Sequence, residues 1–162
     1  MGKAFCLRCN APMEGDDDLL VGRVCAPCMS TLSSVLETLD QPAAYVQRDL
    51  TVMTSNALFK KLFGKFTHDP AGLRIGEAMK CRSSAKDGRC GEVSLCLHCG
   101  VRRLIDLTRI TGEKFADIPL LLRDESGAEQ LLHFSFTKAE NAILVMLKEE
   151  PKPVQHGPVS FS

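Results

Sequence analysis

Eight cysteines in two sets of four are the residues of this chain whose type and spacing could do chemistry. The first set is Cys6, Cys9, Cys25 and Cys28, and the second set is Cys81, Cys90, Cys96 and Cys99. Every cysteine of the chain belongs to one of these two sets. Four thiolates are the ligands that one zinc ion or one iron–sulfur cluster requires. The sequence therefore predicts two metal centres.

The first set has the regular spacing of a tetrahedral zinc site, C-x2-C-x15-C-x2-C. Each CxxC turn places two thiolates on one side of a tight loop, and two such loops close the tetrahedron. The second turn leads into a helical apolar stripe in residues 28–40, whose positive N-terminal end favours thiolates. We therefore expect zinc at the first set. Two unligated dithiols are the alternative, but a CxxC redox motif would need a βαβ setting that is missing here.

The second set is spaced less evenly, since only Cys96 and Cys99 form a CxxC turn. Cys81 and Cys90 have to fold back to that turn, and nearby glycines supply the backbone freedom for it. Zinc would make this site a structural staple, an iron–sulfur cluster would make it a sensor of oxygen or redox state, and unligated thiols are a third interpretation. The ligand type admits both metals. We expect His98, inside the CxxC turn, not to replace a thiolate.

Composition limits the partners and the compartment. The 20 basic side chains are matched by 20 acidic ones, so the chain has no overall positive excess for binding nucleic acid. The local excess of basic residues between positions 80 and 109 is expected to offset the charge of the second metal site. We find no secretory signal and no run long enough to span a membrane. A reducing cytoplasm is therefore expected, in which CxxC pairs bind metals more readily than they form disulfides.

The remaining chain alternates between strand and helix patterns. Two short strands are expected between Ala43 and Asn56, with Asn56 as the N-cap of the next helix. A short helical turn lies near Ile75, and a longer helix follows Cys99 and ends at Gly112. Three strand-like runs close the domain. This order predicts an α+β domain with a five-stranded antiparallel sheet and helices on one face.

One of these runs alternates apolar and polar residues strictly. Leu132, Phe134 and Phe136 fall on one face of the strand, and His133 falls on the other face with Leu131 and Ser135. We expect His133 to lie on a solvated face of the sheet rather than to bind a ligand.

The element order resembles a PAS domain. The matching segments are AAYVQRDLTVMTSN with Asn56 starting the helix LFKKLFG, the element IGEAM, the long helix, and the closing strands through LVMLKEE. The spacing C-x8-C-G-x4-C-x2-C-G, between IGEAM and the long helix, resembles a cysteine-rich subfamily of bacterial PAS sensors. The first set resembles a zinc-ribbon or treble-clef-like finger. The resemblance to PAS domains implies a signal-sensing or dimerising module.

The predicted organisation has four parts. They are a four-cysteine zinc finger in residues 1–30, a connecting helix and linker in 31–42, a PAS-like domain in 43–149 with its cysteine insert at 81–99, and a flexible tail in 150–162. We expect a metal-binding regulatory or signal-sensing module. In one version of this hypothesis, the module responds to redox state. It would act through a protein partner or a homodimer.

Two alternatives stay open. A structural adaptor stapled by zinc, without sensing, would need the same cysteines. A thiol–disulfide oxidoreductase rests only on the CxxC motifs, and no catalytic carboxylate pair, phosphate loop or nucleophile–histidine arrangement is identifiable. We therefore expect that the protein is not an enzyme.

Overall fold

The computed structural model describes residues 4–6, 8–13, 24–63, 69–82, 90, 99–139 and 142–150. The helices are α1 (Ala26–Glu37), α2 (Ala57–Leu62), α3 (Ile75–Ala78) and α4 (Gly100–Thr111). The strands are β1 (Ala4–Phe5), β2 (Pro12–Met13), β3 (Ala43–Val46), β4 (Val52–Ser55), β5 (Phe115–Arg123), β6 (Glu129–Ala139) and β7 (Ala142–Glu149). None of the helices in these ranges is long and apolar enough to cross a membrane.

The strands form two sheets. β1 and β2 make a small antiparallel ribbon in which Ala4 pairs with Met13. The other five strands form one sheet in the order β4-β3-β7-β6-β5, and every neighbouring pair is antiparallel. The predicted five-stranded antiparallel sheet is confirmed. Alternating apolar runs are typical of antiparallel strands that bury one face against a core.

One face of the large sheet forms the main core together with α2, α3 and α4. Leu132, Phe134 and Phe136 of β6 are fully buried there, whereas His133 on the opposite face is only half-buried. Phe59 of α2 and Ile105 of α4 belong to the same core. We call this the inner face and the inner core. The predicted alternation along β6 is therefore confirmed.

The opposite, outer face of the sheet is covered in part by α1. A second group of buried residues lies there, which we call the outer cluster: Cys6, Val24, Cys28, Leu36, Ala43, Tyr45, Met53 and Ala142. In β3 the residues alternate between the two cores, because Ala43 and Tyr45 belong to the outer cluster and Ala44 and Val46 to the inner core. The cysteine-bearing segment and the sheet thus share one hydrophobic cluster.

Helix α1 begins earlier than the apolar stripe alone predicts. The stripe indicated a helix from residue 28, but α1 starts at Ala26 with Cys25 as its N-cap residue. Pro27 fits because the first helical turn requires no backbone N–H from it. The helix therefore crosses position 30, where the sequence predicted the boundary between the finger and the connector.

Two predicted helix boundaries agree with the structure. Asn56 is the N-cap of α2, and its Oδ1 accepts a hydrogen bond from the Phe59 backbone N–H at 2.9 Å. Gly112 ends α4 in a left-handed conformation with φ of 72°. A glycine adopts this conformation without the steric cost that a Cβ atom would add.

Candidate metal centre

The first set of cysteines lies where the β1–β2 ribbon meets the start of α1. Cys6 follows β1, Cys9 lies in the turn between the two strands, and Cys28 is in the first turn of α1. The Asn10 N–H donates to the Cys6 carbonyl oxygen at 2.9 Å, and Asn10 has a φ of 59°. Asparagine tolerates this left-handed conformation better than most residues. This hydrogen bond closes the turn of the ribbon and brings Cys6 and Cys9 close together.

The structure brings the four thiols of the first set together. All four Sγ atoms lie within 4.8 Å of one another, and the Cys9 and Cys25 sulfurs are 3.7 Å apart. A tetrahedral ion with metal–sulfur bonds of about 2.3 Å places its sulfurs about 3.8 Å from one another. The spacing therefore fits a single ion. Sulfurs that bind different irons of a cluster lie farther apart, so the first set fits a cluster less well.

The four thiols differ in their exposure. Cys6 and Cys28 are buried in the outer cluster, Cys25 is half-buried and Cys9 is exposed. The centre thus has one side in the hydrophobic core and one side open to solvent. Solutes can reach it through Cys9.

Hydrogen bonds make the Cys6 thiol more acidic than an ordinary cysteine. The backbone N–H of Cys25 donates to Cys6 Sγ at 3.3 Å, and the backbone N–H of Arg8 donates at 3.4 Å. These bonds stabilise the thiolate and lower the pKa of Cys6 to about 6. Cys6 is therefore ready to act as a metal ligand at neutral pH.

Cys28 has the opposite behaviour. Its interaction with the Cys25 thiol, and then its burial, raise the pKa of Cys28 to about 12. Without a metal, Cys28 keeps its proton while Cys6 carries the charge. Because thiols bind metals as thiolates, an ion entering this site must displace the proton of Cys28.

The second set is described only in part, since Cys96 and His98 lie outside the described residues. The Cys81 N–H donates to the Gly76 carbonyl at 2.8 Å, and Cys81 forms an isolated antiparallel bridge with Asp124. Cys99 is the N-cap residue of α4. The Cys90 carbonyl accepts a hydrogen bond from Arg74 Nη1 at 2.6 Å. The metal centre expected at these cysteines stays a prediction.

These three cysteines lie near the inner core. Cys90 and Cys99 are half-buried and pack against it, and Cys81 follows α3 near the turn between β5 and β6. A centre built on them would join the start of α4 to the end of α3. The first and second sets are therefore associated with opposite faces of the same sheet.

The turn beside Cys81 is ordered by Asp124. Its Oδ1 accepts hydrogen bonds from the Ser126 hydroxyl at 2.6 Å and from the backbone N–H groups of Ser126 and Ala128. These bonds lower the pKa of Asp124, and the bond from the Ser126 hydroxyl has the largest effect. The charged carboxylate thus holds together the hairpin that meets Cys81.

Asn56 is a residue whose full role the sequence did not reveal. Its position before an apolar helix signalled the N-cap of α2. Its amide also donates to the Leu36 carbonyl at 3.1 Å and to the Gln41 carbonyl at 2.7 Å. No local pattern could predict these contacts, because they join segments 15 and 20 residues apart.

Comparison with known proteins finds similarity in structure and none in sequence. No protein-family model matches the chain, and none of the curated proteins matches it. The PAS domain of a Colwellia psychrerythraea protein matches with a TM-score of 0.53 at 8% identity, over 77% of this chain and 98% of that one. The Rhodobacter sphaeroides LOV protein matches with a TM-score of 0.54 at 11% identity, over 81% of this chain and 71% of that one.

The chain has a PAS-like fold. Vibrio cholerae VqmA also matches, with a TM-score of 0.54 at 12% identity over 75% of this chain. The match covers 52% of VqmA, so this chain corresponds to about half of that protein. The fold expected from the order of strands and helices is confirmed. At these identities the likeness extends to the fold alone, and the function has to be argued from the site.

Proposed function

We propose that this protein is a PAS-type regulatory module that carries a metal ion at the first set of cysteines and acts through protein contacts. The observation that carries the proposal is the cluster of four thiols within 4.8 Å, at the start of a helix packed on the outer face of the PAS-like sheet. A metal ion at these thiols would place a metal-dependent element in contact with the PAS-like sheet. The role requires no catalysis.

Zinc is the ion that we propose for the first set. Four sulfur ligands at tetrahedral spacing leave no open position, which is typical of a structural zinc site. Zinc at these sulfurs would close the finger and add no redox chemistry of its own. A single iron ion would use the same ligand set, and the colour of the purified protein distinguishes the two ions.

The structural neighbours support a regulatory role. The structures of VqmA describe a dimer, a complex with DPO and a LuxR-type receptor that binds DNA. Those properties belong to VqmA. For this chain we propose the more general role, a signal-dependent contact with a protein partner or with a second copy, in the cytoplasm.

We propose a second metal centre at Cys81, Cys90, Cys96 and Cys99. In the described part of this set, Cys81 follows α3 and forms a bridge with Asp124 at the β5–β6 turn, and Cys99 is the N-cap residue of α4. Zinc here would fix these elements together. An iron–sulfur cluster here would instead make the inner-core helices responsive to oxygen or redox state.

An adaptor without sensing is the second candidate. The observation in its favour is the burial of Cys6 and Cys28 in the outer cluster, which is expected of a site whose only role is to hold a fold together. The two candidates differ in the effect of the metal. If removal or oxidation of the metal changes partner binding while the sheet stays folded, the adaptor interpretation is wrong.

Metal analysis of protein purified without oxygen tests the proposal. We expect two metal centres in the wild-type chain, the loss of the first in Cys9→Ser, and the loss of the second in Cys81→Ser. A visible absorption band that disappears only in Cys81→Ser would assign an iron–sulfur cluster to the second set. A colourless protein with two zinc ions would exclude that cluster, and wild-type protein without metal at the first set would overturn the proposed function.

A further inference from the structure

We propose that Asn56 couples the metal centre at the first set to the inner core of the PAS-like fold. The inference rests on the proposed function, because it requires an ion at the four thiols. It adds a path by which metal binding at that centre affects the inner core on the other side of the sheet. The path consists of α1, the outer cluster and the hydrogen bonds of one buried side chain.

Helix α1 has the metal centre at one end and Asn56 at the other. Cys25 is its N-cap and Cys28 lies in its first turn, while Leu36 is in its last turn. The Leu36 carbonyl accepts a hydrogen bond from Asn56 Nδ2 at 3.1 Å. A helix of 12 residues is held rigid by its own hydrogen bonds, so a displacement at the thiols moves the far end as well.

Asn56 joins four segments through one buried amide. Its Nδ2 donates to Leu36 O of α1 and to Gln41 O of the connector. Its Oδ1 accepts from the Ala43 N–H of β3 at 3.0 Å and from the Phe59 N–H of α2 at 2.9 Å. The residue is 1% exposed, so a bond broken here leaves a buried polar group without a partner.

Two further contacts follow the same path. Glu37 Oε1, on the last residue of α1, accepts from the Ala57 N–H at the start of α2 at 3.0 Å. Ser33 and Thr54 share a hydroxyl hydrogen bond of 2.7 Å between α1 and β4. α2 in turn carries Phe59, which is fully buried in the inner core. α1 therefore meets the first inner-face helix through hydrogen bonds at its C-terminal end.

The outer cluster gives the same coupling an apolar component. Cys6 and Cys28 lie in one cluster with Leu36 and with Tyr45 of β3. Binding of an ion fixes the positions of the two thiols, and through them the packing of α1 on the sheet. Because coupling between two sites is reciprocal, a change in the inner core that metal binding favours must in turn raise the affinity for the metal.

Hydrogen exchange of the full chain, loaded with zinc and stripped of it, tests the inference. We expect exchange in residues 43–46 and 57–62 to become about five-fold faster or more after metal removal, as typical coupling energies imply. The exchange is measured in Cys81→Ser protein, in which the second centre is removed, so that only the first set responds to zinc. The tip of the β5–β6 hairpin is then the internal control, since it lies outside the path, and its exchange is expected to stay unchanged. Equal acceleration in all segments, or no change in residues 57–62, would overturn the inference.

The decisive variant is Asn56→Ser. A serine keeps an acceptor for the N-cap of α2 but lacks the amide that reaches Leu36 O and Gln41 O. We expect this variant to bind zinc while the response of residues 57–62 to metal removal falls to less than about two-fold. Ser34→Ala is the matched control, because Ser34 is exposed and its hydroxyl donates only to Ser30 O within α1. A full response in Asn56→Ser would contradict the proposal.

A second variant covers the case in which Asn56→Ser does not fold. Glu37→Ala removes an exposed contact on the same path and is expected to reduce the response of residues 57–62 without loss of zinc. An unchanged response in this variant would count against the path. The failure of the metal proposal is distinguishable, because it appears as absent zinc in the Cys81→Ser protein, whereas failure of the coupling appears as bound zinc without an exchange response.

Discussion

Cys9 and Cys25 are the two thiols of the first set that are accessible to solvent. Cys9 is exposed, Cys25 is half-buried, and their sulfurs are 3.7 Å apart. The buried Cys6 and Cys28 are shielded by the outer cluster. A difference in reactivity within one ligand set follows from these positions, because oxidation of thiolates depends on access.

We predict that peroxide oxidises this pair first and releases the metal. The two thiolates lose two electrons and form one disulfide, while the O–O bond of peroxide breaks and takes up two protons to give two molecules of water. Peptide mapping should find Cys9 linked to Cys25, together with release of one zinc ion per chain. Release of zinc with a disulfide between Cys6 and Cys28 would contradict the predicted order of access.

Leu36 and Val35 are neighbours on α1 with opposite environments. Leu36 is fully buried in the outer cluster, whereas Val35 is 46% exposed. We predict that Leu36→Ala lowers the free energy of unfolding by about 2–5 kcal/mol, because it removes buried methyl groups and leaves a cavity. Urea unfolding followed by circular dichroism measures this change.

Val35→Ala is the matched control for Leu36. Surface substitutions usually change stability by less than about 0.5 kcal/mol, so this variant should unfold like the wild type. Equal losses in the two variants would show that α1 does not pack on the sheet through Leu36.

At the scale of elements, local signals predicted helices and strands well and contacts between them poorly. Asn56 and Gly112 mark helix ends through their own backbone and side-chain preferences, so both were found from the sequence. The start of α1 was placed too late, because a proline in the first turn is compatible with a helix but carries no apolar signal. The bonds from Asn56 to Leu36 and Gln41 depend on tertiary packing.

The β5–β6 hairpin carries a pH-dependent turn. The pKa of Asp124 lies below its ordinary value of 3.8, chiefly because the Ser126 hydroxyl bonds to the carboxylate. A carboxyl group whose pKa is lower in the folded state contributes stability above its ordinary pKa and loses it as the pH falls through the lowered value. We predict that the wild type loses stability below pH 3.8 and that Asp124→Asn loses less over the same range.

Unfolding midpoints at pH 5 and pH 3 measure this difference. Ser126→Ala is the control, since it removes the hydroxyl that lowers the pKa of Asp124 and should reduce the acid dependence in part. If the wild type and Asp124→Asn lose stability in parallel, Asp124 does not contribute in this way.

At the scale of the whole molecule, the sheet separates two clusters of buried residues, the inner core and the outer cluster, which have different roles. The inner core makes the PAS-like domain, and the outer cluster attaches the cysteine-bearing segment to it. The period-2 runs predicted the sheet because each strand buries one face. They did not predict that α1 covers part of the other face, since the apolar residues of β3 read as one continuous buried run, AAYV.

At the candidate site, the sequence predicted which residues meet but not which ion they bind. The spacing of Cys6, Cys9, Cys25 and Cys28 predicted that the four thiols meet, and they lie within 4.8 Å. The identity of an ion does not follow from sequence, because thiolates bind zinc and iron alike. The second set carries the same ambiguity with a less regular spacing.

X-ray absorption at the metal edge of the full chain identifies the ion and its ligands, with Cys81→Ser used to leave only the first set loaded. We expect one zinc ion with four sulfur neighbours at about 2.3 Å, and the loss of that signal when Cys28→Ser is added. A bound ion with nitrogen or oxygen neighbours in place of the four sulfurs, or a Cys81→Ser protein that binds no metal, would contradict a zinc site at the first set.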